Sequence, residues 1–242
     1  MIINMFYAKS KTIINFAYSE GSGGGGGGEK IVIPDGWTQE DKTVTTIDTS
    51  NWDTSQMTTM EYMFSGCTAL TNLDVSKFNT SNVTDMDGMF ADCSSLKSLD
   101  LSKWDTSKLG TMLNMFRGCS SLESLDLSNF DTTNMLISMP VFSIFDGCSS
   151  LTKITFSSKF FNTVPNNPEK QVYDFSGASN WTDADSLATL VEALPTVEKS
   201  KKQILVLSNK SYDALTESQK TAITDKGWTV MDFETYNNYF EI

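Results

Sequence analysis

The segment from Val83 to Ser107, VTDMDGMFADCSSLKSLDLSKWDTS, decides how the rest of the chain is interpreted. Its text recurs every 26 residues through the centre of the 242-residue chain. The recurrence is clearest at an aromatic position followed by Asp or Asn, then Thr, then Ser or Thr: Trp52, Phe78, Trp104 and Phe130. Self-similarity at a fixed period is the sequence signature of a repeat architecture.

Further positions keep the same period. A Met-Phe pair places its aromatic residue at Phe64, Phe90 and Phe116, and a cysteine follows at Cys67, Cys93 and Cys119. An insertion of three residues around Met139 and Pro140 moves the fourth set to Phe145 and Cys148. After each cysteine, an x-x-L-x-x-L-x-L-S pattern leads to the next aromatic position.

One unit combines two hydrophobic periods. Alternation at Leu99, Asp100 and Leu101 predicts a short strand with both leucines buried and the aspartate exposed. The helical spacing of Met57, Met60, Met63 and Phe64 then predicts a two-turn helix, for which Thr58 with Glu61 and Thr84 with Asp87 are the predicted capping boxes. Since one unit cannot bury its apolar face alone, stacked strand-turn-helix units are expected.

This repeat resembles the BspA-like leucine-rich repeats, which are related to repeats of mycoplasma surface lipoproteins. The resemblance covers about residues 44–158 and is clearest in MF-x-x-C-x-x-L-x-x-L-D-L-S-x-[FW]-[DN]-T-S. It implies an α/β fold, a leucine-rich-repeat solenoid of 26-residue strand-turn-helix units. It also implies a surface or extracellular binding protein, of bacteria or in a phage or prophage-borne version.

The flanks suggest how the chain is organised. Residues 1–20 are expected to be an anchoring segment; a strand or helix packed on the chain's own body and an unrecognised export signal are the alternatives. Residues 21–28, almost entirely glycine, are predicted to be a flexible linker. An N-terminal cap of the solenoid (29–43), the solenoid (44–175) and an α/β C-terminal cap (176–242) are expected to follow. The predicted anchor residues are Ile2, Ile3, Phe6, Ile13, Ile14 and Phe16.

The predicted C-terminal cap alternates helices and strands. Apolar spacing predicts helices over Asp183–Leu194 and Tyr212–Lys226, with Gly227 as the C-cap of the second. Strands are predicted over Ile204–Leu207 and Trp228–Phe233. These elements are expected to close the open end of the solenoid.

Composition narrows the classes of function. The 18 basic and 30 acidic residues give a net charge of −12, and Arg117 is the one arginine, which argues against nucleic-acid binding. The chain has no histidine, which removes histidine-based catalysis and histidine-ligated zinc. It has no run of 18 apolar residues, so no membrane span is expected. We predict no enzyme activity, catalytic residue, cofactor or metal.

Three sets of equivalent residues have alternative interpretations. The cysteines are expected to be buried thiols, with a disulfide between neighbours as the alternative. The aromatic residues are expected to be core, with a sugar-stacking platform as the alternative. The third set is the aspartates Asp48, Asp74, Asp100 and Asp126. Their carboxylates are expected to form hydrogen bonds with neighbouring hydroxyls or turn amides. A cation site, a glycosidase carboxylate pair and a recognition face are the alternatives.

The sequence-based expectation for function is a non-enzymatic binding or structural protein. The first setting is a phage virion, as a tail-fibre-like or head-decorating component. There, residues 1–20 would attach several copies to a protein assembly, and the repeat region would contact a host surface protein or glycan. The alternative is a BspA-like adhesin on the bacterial cell surface.

Overall fold

The computed structural model describes residues 31–33, 35, 38, 41–135, 141–161, 171–198 and 203–240. Within these ranges the chain is an α/β structure, and no helix there is long and apolar enough to cross a membrane. Its strands are β1 (Ile31–Val32), β2 (Trp52–Asp53), β3 (Ser124–Leu127), β4 (Val141–Ser143), β5 (Lys153–Phe156), β6 (Gln171–Asp174), β7 (Gln203–Leu207) and β8 (Trp228–Asp232). Its helices are α1 (Ala184–Ala193), α2 (Asn209–Ala214), α3 (Glu217–Asp225) and α4 (Phe233–Phe240).

All strand pairs between these elements are parallel. β1 pairs with β2, and β3 pairs with β5 in a register that places Leu125 beside Ile154 and Leu127 beside Phe156. The largest sheet has the order β4-β6-β7-β8. One of its two inner strands, β7, is buried along its whole length, as expected of a parallel strand covered on both faces.

The predicted leucine-rich-repeat solenoid is wrong. The described residues form short parallel sheets, all helices lie between residues 184 and 240, and the predicted helix at residues 57–64 is absent. In its place is a series of tight turns, in which the amide of Met63 donates to the Met60 carbonyl and that of Cys67 to the Phe64 carbonyl. The predicted strand at residues 99–102 is also absent, and Leu99 is only partly buried.

Two features of the backbone explain why the helical spacing did not produce a helix. Alternate amides of residues 60–66 donate to carbonyls of residues 85–91, one period later, instead of to their own segment. In addition, the backbone is left-handed near the start and end of this segment, at Tyr62 (φ 53°) and Gly66 (φ 75°). Consecutive turns repeat every three to four residues, so they bury the same positions as a helix would.

The left-handed positions recur with the sequence period. Equivalents of Tyr62 are Gly88 (φ 58°) and Asn114 (φ 57°), and equivalents of Gly66 are Asp92, Gly118 and Gly147. Gly, Asn and Asp are the residues that adopt this conformation at least cost. The sequence therefore contained evidence against a helix, in Gly, Asn or Asp at positions 88/114 and 66/92/118/147, whereas Tyr62 gave no such indication.

The core runs through the repeat region as stacked aromatic rings. The centroids of Phe64 and Phe90 are 5.8 Å apart, those of Phe90 and Phe116 5.9 Å, and those of Phe116 and Phe145 6.2 Å. Interplanar angles of 7–15° make this an offset stack, which adds to the energy of burial. The stack reaches Phe145 despite the insertion between residues 119 and 148, so the insertion does not interrupt the core.

The C-terminal elements follow the sequence closely, with two differences. The predictions for α1, β7, β8 and Gly227 (φ 89°) are confirmed. The helix predicted over Tyr212–Lys226 is instead two helices, because Thr216 and Gln219 form a capping box that starts α3. The final helix, α4, was not predicted.

Candidate recognition face

Four exposed aspartates occupy equivalent turns. In each turn a carboxylate oxygen accepts a hydrogen bond of 2.9–3.0 Å from the backbone amide two residues later. Such Asx turns fix the carboxylate relative to the backbone. The four turns are Asp48–Ser50, Asp74–Ser76, Asp100–Ser102 and Asp126–Ser128, and we call this set the Asp-Ser line. The expectation of hydrogen bonds to neighbouring turn amides is therefore confirmed.

Three carboxylates of the Asp-Ser line have lowered pKa values, so they are ionised at neutral pH. Hydrogen bonds from Ser50 lower the pKa of Asp48, and those from Ser102 lower the pKa of Asp100. Hydrogen bonds from Ser76 do the same for Asp74, and Lys77 adds a favourable charge interaction to both Asp48 and Asp74. The negative charge of Asp100 acts to raise the pKa of Asp74, because like charges repel. The Lys77 ammonium offsets part of this repulsion.

A second line of Asx turns follows the aromatic positions. Its acceptors are Asp53, Asn79, Asp105 and Asp131, bonded to the amides of Ser55, Ser81, Ser107 and Thr133 at 3.0–3.1 Å. Asn79 shows that an amide oxygen makes the same turn as a carboxylate. Asp131 also forms a 2.8 Å ion pair with Lys159.

Buried threonines hold the second line in place, and the sequence analysis missed them. The hydroxyl of Thr80 donates to the Asp105 carbonyl at 2.9 Å and accepts from the Asp105 amide at 2.8 Å. Thr54 bonds Asn79 in the same two-way manner. The set that we call the threonine column is Thr54, Thr80, Thr106 and Thr132, all 1–2% exposed. Their invariance within the D-T-[ST] text was the available sequence evidence.

The predicted capping residues serve other partners. The amide and hydroxyl of Thr58 both donate to the carboxylate of Asp35, at 2.8 and 2.7 Å. Asp87 is half-buried and accepts hydrogen bonds from the Thr111 hydroxyl at 2.5 Å and the Leu113 amide at 2.6 Å. Burial raises the pKa of Asp87, whereas these two hydrogen bonds act to lower it. The capping boxes predicted at Thr58 and Thr84 are therefore wrong.

The cysteines are buried free thiols, as expected. The Cys93 thiol donates to the Phe64 carbonyl at 3.1 Å, and Cys119 and Cys148 make the equivalent bonds to Phe90 and Phe116. Burial raises the pKa of Cys67 to about 11 and that of Cys93 to about 12. Such thiols are poor nucleophiles because little thiolate forms at neutral pH.

The aromatic line is core, as expected. Its residues are at most 5% exposed, and Trp104 also donates from Nε1 to the Val75 carbonyl at 3.1 Å. Rings packed in this way present no face to a sugar. The remaining candidates are the Asp-Ser line, which is exposed, and the anchor residues Ile2, Ile3, Phe6, Ile13, Ile14 and Phe16, which lie outside the described residues.

The side chains of the Asp-Ser line are spread along successive turns. Among the residues that the structure describes, no group of three or more His, Cys, Asp or Glu side chains is placed to hold a metal ion. The arrangement instead provides carboxylates and hydroxyls in a regular row. Chemically, such a row can accept hydrogen bonds and attract basic groups on a partner.

The class of protein follows from the period and from this row: a repeat-containing α/β protein with a regular polar surface. Residues 37–157 match the family model described as "Mycoplasma protein of unknown function, DUF285". Because the match covers half of the chain, the protein belongs to this family, which is linked to BspA-like lipoprotein repeats. The chain matches no curated protein and no solved structure.

Proposed function

We propose that the protein is a non-enzymatic binding protein that adheres to a host or cell surface through the Asp-Ser line. The observation that carries the proposal is the set of four exposed aspartates, each fixed by a hydrogen bond to its own turn amide. Side chains already held in one geometry lose little conformational entropy on binding. A regular row also favours a partner with several matching basic or hydroxyl groups.

The stacked core beneath the turns supports this role. Leu73, Val75 and Leu101 are buried next to the exposed aspartates, with 0–3% exposure. Each turn is thus attached to a packed interior, so its position is set by the core rather than by a free loop. A rigid support is what a weak, repeated contact needs in order to act several times at once.

Two settings fit this function. In a virion, residues 1–20 would attach the chain to a protein assembly and the glycine-rich residues 21–28 would give it reach. On a bacterial cell surface the protein would act as an adhesin, and the link of its family to BspA-like lipoprotein repeats favours this setting. Mass spectrometry of purified virus particles and of cell envelopes distinguishes the two settings by where the chain is found.

The binding role is tested by removing charge without removing the turns. Asp48, Asp74, Asp100 and Asp126 are changed together to Asn, which retains the acceptor oxygen that Asn79 already uses in this chain. The labelled full-length protein is then incubated with intact bacterial cells and the bound fraction is measured by flow cytometry. We expect binding to fall about tenfold or more, while the circular dichroism spectrum shows that the fold is retained.

The matched control changes Asp53 and Asp105 to Asn in the second line of turns, and it is compared with a variant in which only Asp48 and Asp100 are changed, so that each removes two charges. The control removes charge from the same kind of turn and is expected to leave binding unchanged. Equal losses of binding in the two variants that each remove two charges would mean that net charge, and not the Asp-Ser line, determines binding. Full binding by the fourfold variant would exclude the Asp-Ser line as the recognition surface.

A further inference from the structure

We propose that residues 12–18 of one copy of the chain add as a strand to the free edge of β8 in a second copy. This inference rests on the proposed role of residues 1–20 as the attachment segment, and it names the partner of that segment.

β8 is an edge strand of the four-stranded sheet. β8 pairs with β7 from Trp228 to Asp232, and among the described residues no strand pairs with its other side. Its sequence, WTVMD, has no lysine or proline, the residues that most often protect a sheet edge from further pairing. An edge of this kind presents unpaired backbone donors and acceptors to an incoming strand.

Apolar side chains lie beside the edge of β8. Val230 and Met231 are partly buried, each packed against a different hydrophobic cluster. Phe233, directly after β8, is 41% exposed and is one of two large apolar side chains exposed in the described part of the chain. An added strand with apolar residues on both of its faces would extend both clusters.

Residues 12–18 have apolar residues on both faces of a strand. Their text, TIINFAY, places Ile14, Phe16 and Tyr18 on one face of a strand, and Ile13 and Ala17 with one polar residue, Asn15, on the other. Residues of these types favour strands, and the segment has no charge or proline. It therefore has the composition of a strand that is covered on both faces.

The charges near β8 favour residues 12–18 over a second β8 as the added strand. Asp232 ends β8, and Asp225 and Glu234 lie close to it along the chain, whereas the Lys226 ammonium donates to three carbonyls of residues 191–194. Pairing two β8 edges would bring like charges together. Residues 9–18 carry Lys9 and Lys11 and no acid, so their charge complements the edge.

The distance between β1 and the edge of β8 favours a second copy of the chain over the same copy. Backbone hydrogen bonds lead from Tyr62 to β8 in six steps between neighbouring segments. β1 adds one more step, because it pairs with β2 in the repeat unit that contains Tyr62. With the new strand included, the span is about 40 Å at the usual strand spacing. Residues 18–31 reach about 45 Å only when fully extended, which a glycine-rich segment resists entropically. A second copy removes this constraint.

The test is a cysteine cross-link between two full-length chains. Thr229, exposed on β8, is changed to Cys in one preparation, and Asn15 or Ala17 is changed to Cys in another. All four native cysteines are buried with raised pKa values, so the introduced thiols are the reactive ones. The two proteins are mixed, oxidised with oxidised glutathione, and separated by mass under non-reducing conditions.

The expected result is a disulfide-linked pair containing one chain of each kind, formed at least tenfold more than with Thr71→Cys, an exposed control outside the edge. Equal yields with Thr229→Cys and Thr71→Cys would overturn the proposal. So would efficient pairing of Thr229→Cys with itself, which would indicate two β8 edges. A chain carrying both Thr229→Cys and Asn15→Cys that closes only within itself would also overturn it.

A second measurement is independent of cross-linking. Thr229→Lys places a positive charge at the edge, and we expect it to weaken self-association about tenfold or more in sedimentation equilibrium, whereas Thr71→Lys leaves it unchanged. Unchanged self-association in Thr229→Lys contradicts the proposal. Since neither variant touches the Asp-Ser line, loss of self-association with retained cell binding separates this inference from the proposed function.

Discussion

The threonine column makes a prediction that reverses the usual order of core substitutions. In Thr80→Val the side chain keeps its shape but loses the hydroxyl that bonds both the amide and the carbonyl of Asp105. In Thr80→Ser the hydroxyl remains and one methyl group is lost. Hydrophobicity alone would make the valine variant the more stable of the two at a site that is 2% exposed.

The magnitudes follow from the two groups left without a partner. A fully buried donor or acceptor without a partner costs about 1–3 kcal/mol. Because the two bonds to Asp105 are only part-buried, Thr80→Val is expected to lower the free energy of unfolding by about 2–4 kcal/mol, the lower part of the range for two groups. Deletion of one buried methyl group costs about 1 kcal/mol, which is the expected loss for Thr80→Ser. The serine variant should therefore be more stable than the valine variant by about 1–3 kcal/mol.

Urea unfolding followed by circular dichroism measures both values. Thr71→Val, at an exposed position, is the control and should change the free energy of unfolding by less than about 0.5 kcal/mol. A valine variant as stable as the serine variant would refute the reasoning. The two hydrogen bonds would then contribute nothing beyond what water provides.

Three further predictions concern a close contact, the thiols and acid. Gly177→Ala should destabilise the protein by about 1–3 kcal/mol in urea unfolding, since a Cβ there would lie 2.4 Å from the Phe145 carbonyl oxygen. Gly110→Ala, with its nearest atom at 3.2 Å, should cost less. The native protein should react with a thiol reagent only after unfolding, and reductant should leave its melting temperature unchanged, because the four cysteines are buried and unpaired. Because turn hydrogen bonds lower the pKa of Asp100 below 3.8, the stability they contribute is present above pH about 4 and is lost as the pH falls through that lowered pKa; Asp100→Asn should reduce the loss of stability below pH 4.

Each of these has a clear contrary outcome. Gly177→Ala as stable as Gly110→Ala would show that the 145–177 contact is loose. A melting temperature that drops with reductant would mean that the cysteines are paired in solution. An acid unfolding curve identical for Asp100→Asn and the parent protein would remove any role of that turn in acid stability.

Sequence alone predicted most of the buried positions of the repeat, with Leu99 as an exception. The period of 26 residues placed Phe90, Cys93 and Leu101 in the interior, and the structure confirms this, because burial depends on which residues recur and not on the backbone between them. The same is true of α1 and of β7, where local apolar spacing agrees with the final structure. The polar turns of the Asp-Ser line were also predictable, since an Asx turn involves only residues two apart.

The tertiary structure decided what lies between those positions. Helical spacing at residues 57–64 is equally consistent with a helix and with consecutive tight turns, because both bury every third or fourth side chain. The choice depends on where the amides of Met60, Tyr62 and Phe64 donate, and their acceptors are carbonyls about 25 residues away. A local pattern cannot reveal a distant acceptor, and for the same reason the two-way bonds of the threonine column became visible only when neighbouring units were placed together.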